Sequence, residues 1–142
     1  MSVRKLKFRG LALPFNEASF SQAMFDKDLM IINRGADIEG IVLLYNHAGG
    51  ATPSPETKQE MPIGKIYSHE LRQDGLYVEG FILIHNSYTD DIARLVEHSV
   101  LTGISVTTTK VGKKYNIEDI SIVDIPDFIN ARITEVVGYE DA

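Results

Sequence analysis

The chain has 142 residues, of which 44% are apolar, so it is close to the usual size of one domain and can bury one hydrophobic core. Its 14 lysines and arginines against 20 aspartates and glutamates give a formal charge of −6. This balance gives no excess positive charge that would attract nucleic acid or anionic lipid. It contains no cysteine, which excludes disulfides, thiolate metal sites and a cysteine nucleophile. We therefore expect a single domain over residues 1–142 without a nucleic-acid partner.

The sequence also lacks the apolar segments that membrane insertion and secretion require. No apolar run approaches the roughly 20 residues of a membrane-spanning helix, and the N-terminal residues have no apolar core of the kind found in signal peptides. We therefore expect a protein that works in a cytoplasm and has no membrane partner.

The first third of the chain combines one clear strand pattern with weaker signals. Charged and apolar side chains alternate from Val3 to Phe15, which predicts a strand with one buried face and one basic, solvated face. Apolar residues at helical spacing between Ala18 and Asn33 favour a short helix or two. The continuous apolar run Ile41–Tyr45 predicts a strand buried on both faces, with His47 directly after its end.

The middle of the chain is predicted to be a loop followed by a hairpin. Glycines and prolines in Ala48–Met61 favour an exposed, mobile loop, and because this loop begins directly after His47 we expect it to lie beside any site built around that residue. Two strands follow, Ile63–Leu71 and Leu76–His85. The Asp74-Gly75 pair between them is a strong signal for a hairpin turn.

The remaining sequence predicts one amphipathic helix and a set of strands. Ser87 or Thr89 can cap the helix, and Gly103 can end it. Segments rich in β-branched residues come after the helix and indicate strands or extended chain. These segments are Ile104–Val111, Tyr115–Ile125 and Phe128–Val137.

Three residues in these predicted strands carry the side chains of nucleophilic catalysis. Ile104 and Val106 share the apolar face of their strand, so Ser105 points away from the core. A hydroxyl at Ser105, an imidazole at His47 and a carboxylate at Asp119, carried by three strands, can converge as nucleophile, base and orienting group. We take these three residues as the candidate site.

Each member of this candidate site also has an ordinary structural explanation. Ser105 can be a strand-surface hydroxyl, and His47 can be a hydrogen-bonded residue without a catalytic role. Asp119 and Glu118 point to opposite faces of a regular strand, and the apolar pattern does not decide which face is buried. Three further histidines compete with His47, although none lies in so apolar a run: His69, His85 and His98.

No pattern for a metal or nucleotide cofactor is present in the sequence. The acidic pairs Asp90-Asp91 and Glu140-Asp141 lack the ordered spacing of oxygen ligands in a calcium loop. Gly49-Gly50 is too short for a phosphate-binding fingerprint. We therefore expect a site that uses no cofactor.

Six short motifs occur in an order that resembles one known family. They are Phe8–Ala12, Leu43–His47, Pro62–Ile66, Asp74–Gly80, Thr102–Ser105 and Asp119–Val123. In this order they are similar to the motifs of the prohead proteases of tailed bacteriophages, which are serine peptidases related in fold to the herpesvirus assembly proteases. The resemblance runs from about Lys7 to Val136. It departs from the family at Thr107, where a glycine is common, and at Asp119, where a glutamate is common.

The resemblance implies a fold, a mechanism and a biological setting. The implied fold is an α+β domain built on an antiparallel β-barrel with a few peripheral helices. His47 would be the base, Ser105 the nucleophile and Asp119 the orienting acid, with the oxyanion donors left open between backbone N–H groups and a side chain such as Arg132. The implied partners are the scaffold protein or the scaffolding segment of the major capsid protein, and the protease itself.

Cleavage would take place inside the assembling procapsid in the host cytoplasm. Because herpesvirus relatives work as dimers, the resemblance also suggests self-association into a homo-oligomer. The alternative is a non-catalytic capsid-assembly protein that keeps the protease fold and binds the coat or scaffold subunit, since fold and function are separable.

Overall fold

The computed structural model describes residues 3–19, 24–25, 30–31, 40–46, 61–111 and 114–142. Within these residues the chain forms eight strands and one helix. In chain order they are β1 (Arg4–Pro14), β2 (Met30–Ile31), β3 (Val42–Asn46), β4 (Met61–Arg72), β5 (Gly75–Ile84), α1 (Ser87–Glu97), β6 (Gly103–Val111), β7 (Lys114–Val123) and β8 (Ile133–Asp141). In this described part of the chain, no helix has the length and apolar character needed to cross a membrane.

The strands form one mixed sheet, and this corrects the expectation of an antiparallel barrel. The order is β2-β7-β3-β4-β5-β1-β8, and β6 pairs with β7. Strands β2 and β3 pair in parallel with β7. Between β3 and β7 the chain makes a long crossover, which ends in the β6–β7 hairpin and brings β7 back beside β3 in the same direction. The sheet is not closed: in the described residues, a single bridge between Gly103 and Arg132 links β6 to the chain that leads into β8.

The alternation predicted for the first strand is confirmed as far as Leu11, after which the register shifts and residues 12–15 are all buried. The buried face of this strand forms the centre of the core. Leu6 and Phe8 on β1 are fully buried, whereas Arg9, which points to the opposite face of the strand, is exposed. The inner face continues onto β5 through Leu76 and Ile82, which are also fully buried. Burying a side chain of this size contributes about 1.5–3 kcal/mol each, so these rows hold β1 and β5 together.

The outer face of β1 is basic, as the alternation predicts, and its cations have partners in the sheet. Lys7 Nζ lies 3.4 Å from a carboxylate oxygen of Glu140 on β8. Arg9 contacts Glu135 at 2.9 Å and Glu79 at 3.4 Å. Because these pairs lie at the solvated surface, their main effect is to balance charge on this face.

The hairpin and the apolar run before it also form strands. The β4–β5 ladder closes from Arg72 to Gly75 around the predicted turn. In β3, Leu43 is fully buried and Leu44 is 9% exposed, but Val42 is 40% exposed. The prediction that this strand is buried on both faces is therefore correct only at Leu43 and Leu44.

The helical prediction between Ala18 and Asn33 is wrong where the structure describes that segment. Ser19, Met24 and Phe25 lie in non-helical chain, and Met30–Ile31 forms β2. The remaining residues of this segment lie outside the described part of the chain. The apolar spacing that favours a helix here arises partly because Phe25 is buried in the core.

Helix α1 begins and ends at residues other than those predicted. Its N-cap is Asn86, whose side-chain oxygen accepts a hydrogen bond from the Thr89 N–H at 2.8 Å, while the Asn86 N–H donates to the Thr89 hydroxyl at 3.3 Å. This reciprocal capping box satisfies two backbone donors that Ser87 cannot reach from inside the helix. The helix ends at Glu97, so Gly103 opens β6 instead of ending α1.

The capping box predicts a stability difference between two adjacent substitutions. We expect Asn86→Ala to lower the free energy of unfolding by about 1 kcal/mol, because it removes the N-cap acceptor. Ser87→Ala is the matched control and should change stability by less than about 0.5 kcal/mol, because Ser87 is an exposed residue in the first turn. Urea unfolding measures both values, and equal effects would contradict the assignment of Asn86 as N-cap.

Candidate active site

The candidate nucleophile lies in the β6–β7 ladder. Ile104 is 1% exposed and Val106 packs against the core, so Ser105 between them lies on the outer face and is half-buried. Ser105 is opposite Ser121 of β7, which is only 4% exposed. The two hydroxyl residues therefore share one face of the sheet but differ in their access to solvent.

A bulge in this ladder decides which acid shares the face of Ser105. Thr107 pairs with Asp119 and Thr108 with Ile117, so Glu118 is the extra residue on β7. Regular alternation resumes after Asp119, which places Asp119 on the same face as Ser121 and Ser105. Because of the bulge, Ile117 does not share the face of Asp119 but points into the core, where it is 3% exposed.

Glu118 itself is exposed and has local partners. Its carboxylate accepts a hydrogen bond from the Asn116 side chain at 2.9 Å. Hydrogen bonds from Asn116 and then Thr109 favour the charged form, and they hold the pKa of Glu118 below its usual value. These bonds tie Glu118 to the outer end of the hairpin, away from the Gly103 end of β6.

His47, the candidate base, lies outside the described residues. The last described residue before it is Asn46, at the end of β3, which pairs with Val123 of β7. Val123 in turn pairs with Gly103 of β6, two residues before Ser105. The described chain therefore brings the residue preceding His47 to the same end of the ladder as Ser105, and the role of His47 stays a prediction.

The three competing histidines lie on other elements. His69 is on β4, opposite Val78 of β5, and His85 is an exposed residue directly after β5. His98 caps the C-terminus of α1 with 75% of its side chain exposed. In the described part of the chain, none of the three is on β3, β6 or β7.

A short segment before β8 anchors the start of β6. The Ile104 N–H donates to the Ala131 carbonyl at 2.9 Å, and Arg132 donates from its side chain to the Thr102 hydroxyl and to the Ile129 carbonyl, both at 2.8 Å. Gly103 is required at this point, because a Cβ atom would lie 2.7 Å from the carbonyl oxygen of Val123. The Arg132 side chain therefore positions Thr102, three residues before Ser105.

A cavity of about 190 Å³ lies along the edge of β6 that faces away from β7. Its lining combines the edge of β6 with apolar residues from the end of β1 and from two loops. The lining residues are Ala12, Leu13, Phe25, Ile104, Ser105, Val106, Thr108, Asp127 and Phe128. The rings of Phe25 and Phe128 pack together at 6.0 Å, so Ser105 opens onto a pocket with an aromatic wall.

Apart from Ser105, sequence reasoning did not identify the residues that line this cavity. Ala12 and Asp127 come from segments more than 100 positions apart, and only the fold brings them beside β6. No sequence signal pairs Phe25 with Phe128, because the first lies in a segment predicted to be helical and the second in a segment predicted to be extended. Among the described residues, no cluster of three or more His, Asp or Glu side chains is placed to hold a metal ion.

Comparison with known proteins places this geometry in a known fold. No protein-family model matches the chain, and no curated protein matches its sequence. Among solved structures, the chain is similar to KSHV protease, which was crystallised in complex with a hexapeptide phosphonate inhibitor. The TM-score is 0.59 at 12% sequence identity, over 99% of this chain and 65% of the KSHV protease chain.

The chain has a herpesvirus-protease-like fold. It spans less than two thirds of the KSHV protease chain, and at this identity the likeness concerns the fold. The fold relation implied by the sequence motifs is therefore confirmed, whereas membership of the phage prohead family and the three catalytic roles stay predictions.

The hydrogen bonds at the bulge predict a titration behaviour for Glu118. Replacing the donor, Asn116→Ala, should raise the pKa of Glu118 toward that of an ordinary exposed glutamate, as measured by carbon-13 NMR of the carboxyl group. Because the folded-state pKa is lowered, the associated stability is present above the unfolded-state pKa and is lost as the pH falls. Asn130→Ala removes a similar bond to Glu17, at 3.1 Å, and should leave Glu118 unchanged. An unchanged pKa in the Asn116 variant would contradict this account.

Proposed function

We propose that the protein is a serine endopeptidase of phage capsid maturation, with Ser105 as its nucleophile. The observation that carries the proposal is the position of Ser105, which lines a cavity at an open strand edge of a herpesvirus-protease-like fold. The ordered motifs that resemble prohead proteases supply the phage setting.

The backbone beside Ser105 supports the binding of an extended peptide. Beyond Ile104, none of the described strands pairs with the edge of β6 that faces away from β7. The Ile104 N–H points to the edge of β6 that faces away from β7, because it donates to the Ala131 carbonyl. Every second residue of a strand directs its backbone N–H and C=O to the same edge, so Val106 has the same orientation as Ile104. The N–H and C=O of Val106 are therefore directed at the cavity, where a substrate strand can pair with them.

Pairing of this kind places a substrate carbonyl next to the Ser105 hydroxyl. In the proposed mechanism His47 takes the Ser105 proton as the oxygen attacks the carbonyl, and Asp119 holds the imidazole in the required tautomer. The Val106 N–H, directed at the same edge, is a donor for the oxyanion that develops. The aromatic wall formed by Phe25 and Phe128 excludes water from one side of this carbonyl.

The proposed substrates and setting follow from the resemblance to prohead proteases. They are the scaffold protein, or the scaffolding segment of the major capsid protein, and the protease itself, inside the assembling procapsid in the host cytoplasm. Their cleavage frees space in the capsid and makes assembly irreversible. The proposal includes self-association of the protease into a homo-oligomer.

The two serines that face each other in the ladder provide a matched test. We expect Ser105→Ala to lower cleavage of a co-expressed major capsid protein from the same genome by about 10⁶-fold, measured by intact-mass analysis. Ser121→Ala changes the same chemical group at the paired position, but its hydroxyl does not line the cavity. This control should therefore retain cleavage, apart from a small loss of stability.

Two results would contradict the proposal. Undiminished cleavage by the Ser105 variant would remove Ser105 as nucleophile. Binding of the capsid protein without cleavage by the parent protein would favour the non-catalytic assembly role. His47→Ala should behave like the Ser105 variant, and His98→Ala, at an exposed helix cap, should be near neutral.

The bulge yields a second test that uses the neighbouring acids. Asp119→Asn should depress kcat by about 10⁴-fold while leaving the fold intact, because an amide stabilises the wrong imidazole tautomer. Glu118→Gln is the control and should be near neutral, because Glu118 is exposed and bound to Asn116. Loss of cleavage in the Glu118 variant with activity retained in the Asp119 variant would assign the orienting role to Glu118.

A further inference from the structure

A second cavity, of about 370 Å³, lies on the outer face of the sheet where β3, β4, β5 and β1 are adjacent. It is separate from the cavity at Ser105, and the two share no lining residue. The lining residues are Lys5, Val42, Pro62, Ile63, Gly64, Lys65, Phe81, Leu83 and His85. We call this cavity the outer groove.

The floor of the outer groove is apolar and open to solvent. Val42 is 40% exposed, and Phe81 and Leu83 are half-buried on the outer face of β5. Gly64 of β4 lies opposite the buried residues Leu43 and Ile82, and a Cβ atom there would overlap the carbonyl oxygen of Phe81. An apolar surface of this shape can accept one or two large apolar side chains of a ligand.

The rim of the outer groove is basic, in contrast to the whole protein. Lys5, Lys65 and His85 line it, and among the described residues no carboxylate does, although the chain carries a formal charge of −6. Lys5 Nζ lies 4.5 Å from the centre of the Phe81 ring. The carboxylate across the ladder from Lys5, that of Glu140, is held by Lys7 at 3.4 Å. The groove therefore presents positive charge around an apolar floor.

The ladders around the outer groove restrict how a ligand can bind. Strand β3 lies between β7 and β4, β4 lies between β3 and β5, and β5 lies between β4 and β1. Because both edges of each strand are already paired, a ligand cannot add as a further strand and must bind through its side chains. The complementary ligand has a bulky apolar side chain flanked by carboxylates.

We propose that the outer groove is a docking site for an acidic, apolar segment of another protein. The segment inserts a leucine- or phenylalanine-sized side chain onto Val42, Phe81 and Leu83, and its flanking carboxylates lie near Lys5 and Lys65. The connection between β3 and β4, residues 47–60, has no Val, Leu, Ile, Met, Phe or Tyr with which to fill the groove. This docking does not depend on peptidase activity.

The test uses a defined peptide and the whole chain labelled with nitrogen-15. The probe is the acetylated, amidated peptide Glu-Glu-Leu-Phe-Glu-Glu, and amide shifts are followed by NMR as it is added. We expect saturable shifts at residues of the outer groove that weaken as salt is raised. The matched peptides Gln-Gln-Leu-Phe-Gln-Gln and Glu-Glu-Ser-Ser-Glu-Glu should bind less tightly, because each lacks one of the two required features.

Charge reversal in the protein provides the second arm of the test. Lys65→Glu should weaken binding of the acidic peptide by about fivefold or more, because Lys65 is an exposed rim cation. Arg94→Glu makes the same charge change on α1, where Arg94 pairs with Asp90 at 3.1 Å, and should leave binding unchanged. The wild-type protein and the Ser105→Ala variant should bind the peptide with equal affinity.

Four outcomes would overturn the proposal. Absence of shifts at the groove in millimolar peptide would remove the site, and equal binding of the glutamine peptide would remove the acidic requirement. Shifts at the same residues on concentrating the protein alone would assign the groove to a second copy of the chain. Shifts produced there by phosphatidylglycerol vesicles, but not by the peptide, would assign it to an anionic membrane surface.

Discussion

The register between β6 and β7 determines the candidate site. The bulge at Glu118 lets Ile117, Ile120 and Ile122 all point into the core, although one of them is out of phase with strict alternation. The same bulge leaves Asp119 on the outer face with Ser105. A slip of one residue exchanges the two faces of a strand. Moving the bulge would therefore place Asp119 among apolar side chains, where burying a charge is costly. The packing of the core and the chemistry of the outer face are thus set by one irregularity.

The topology of the sheet adds two further conditions for the site. The parallel pairing of β3 with β7 brings Asn46 level with Val123 and Gly103, so the chain leading to His47 leaves the sheet at the Ser105 end of the ladder. The sheet also stays open beside β6 in the described part of the chain. A closed barrel would pair this edge with a permanent neighbour, whereas the open edge leaves backbone groups available to a substrate strand.

Sequence patterns predicted the local parts of this structure and missed the non-local ones. The alternation in β1 and the Asp74-Gly75 turn are encoded by neighbouring residues, so both were predictable. The bulge at Glu118 was not predictable, because an extra residue in a strand rich in β-branched side chains produces no recognisable sequence pattern. Parallel pairing of β3 with β7 depends on a crossover of more than sixty residues, and the wall of the Ser105 cavity joins Phe25 to Phe128 across the fold. Such contacts are fixed by packing and not by local preference.

In the proposed mechanism, Ser105 attacks a peptide held along the open edge of β6. The most direct measurement is a crystal structure of the protein after reaction with a peptidyl phosphonate, a class of inhibitor that was crystallised with KSHV protease. We expect a covalent bond from Ser105 Oγ to phosphorus, with the peptide extended along β6 and hydrogen-bonded to the backbone of Val106. A phosphonate attached to another residue, or a peptide bound away from this edge, would contradict it.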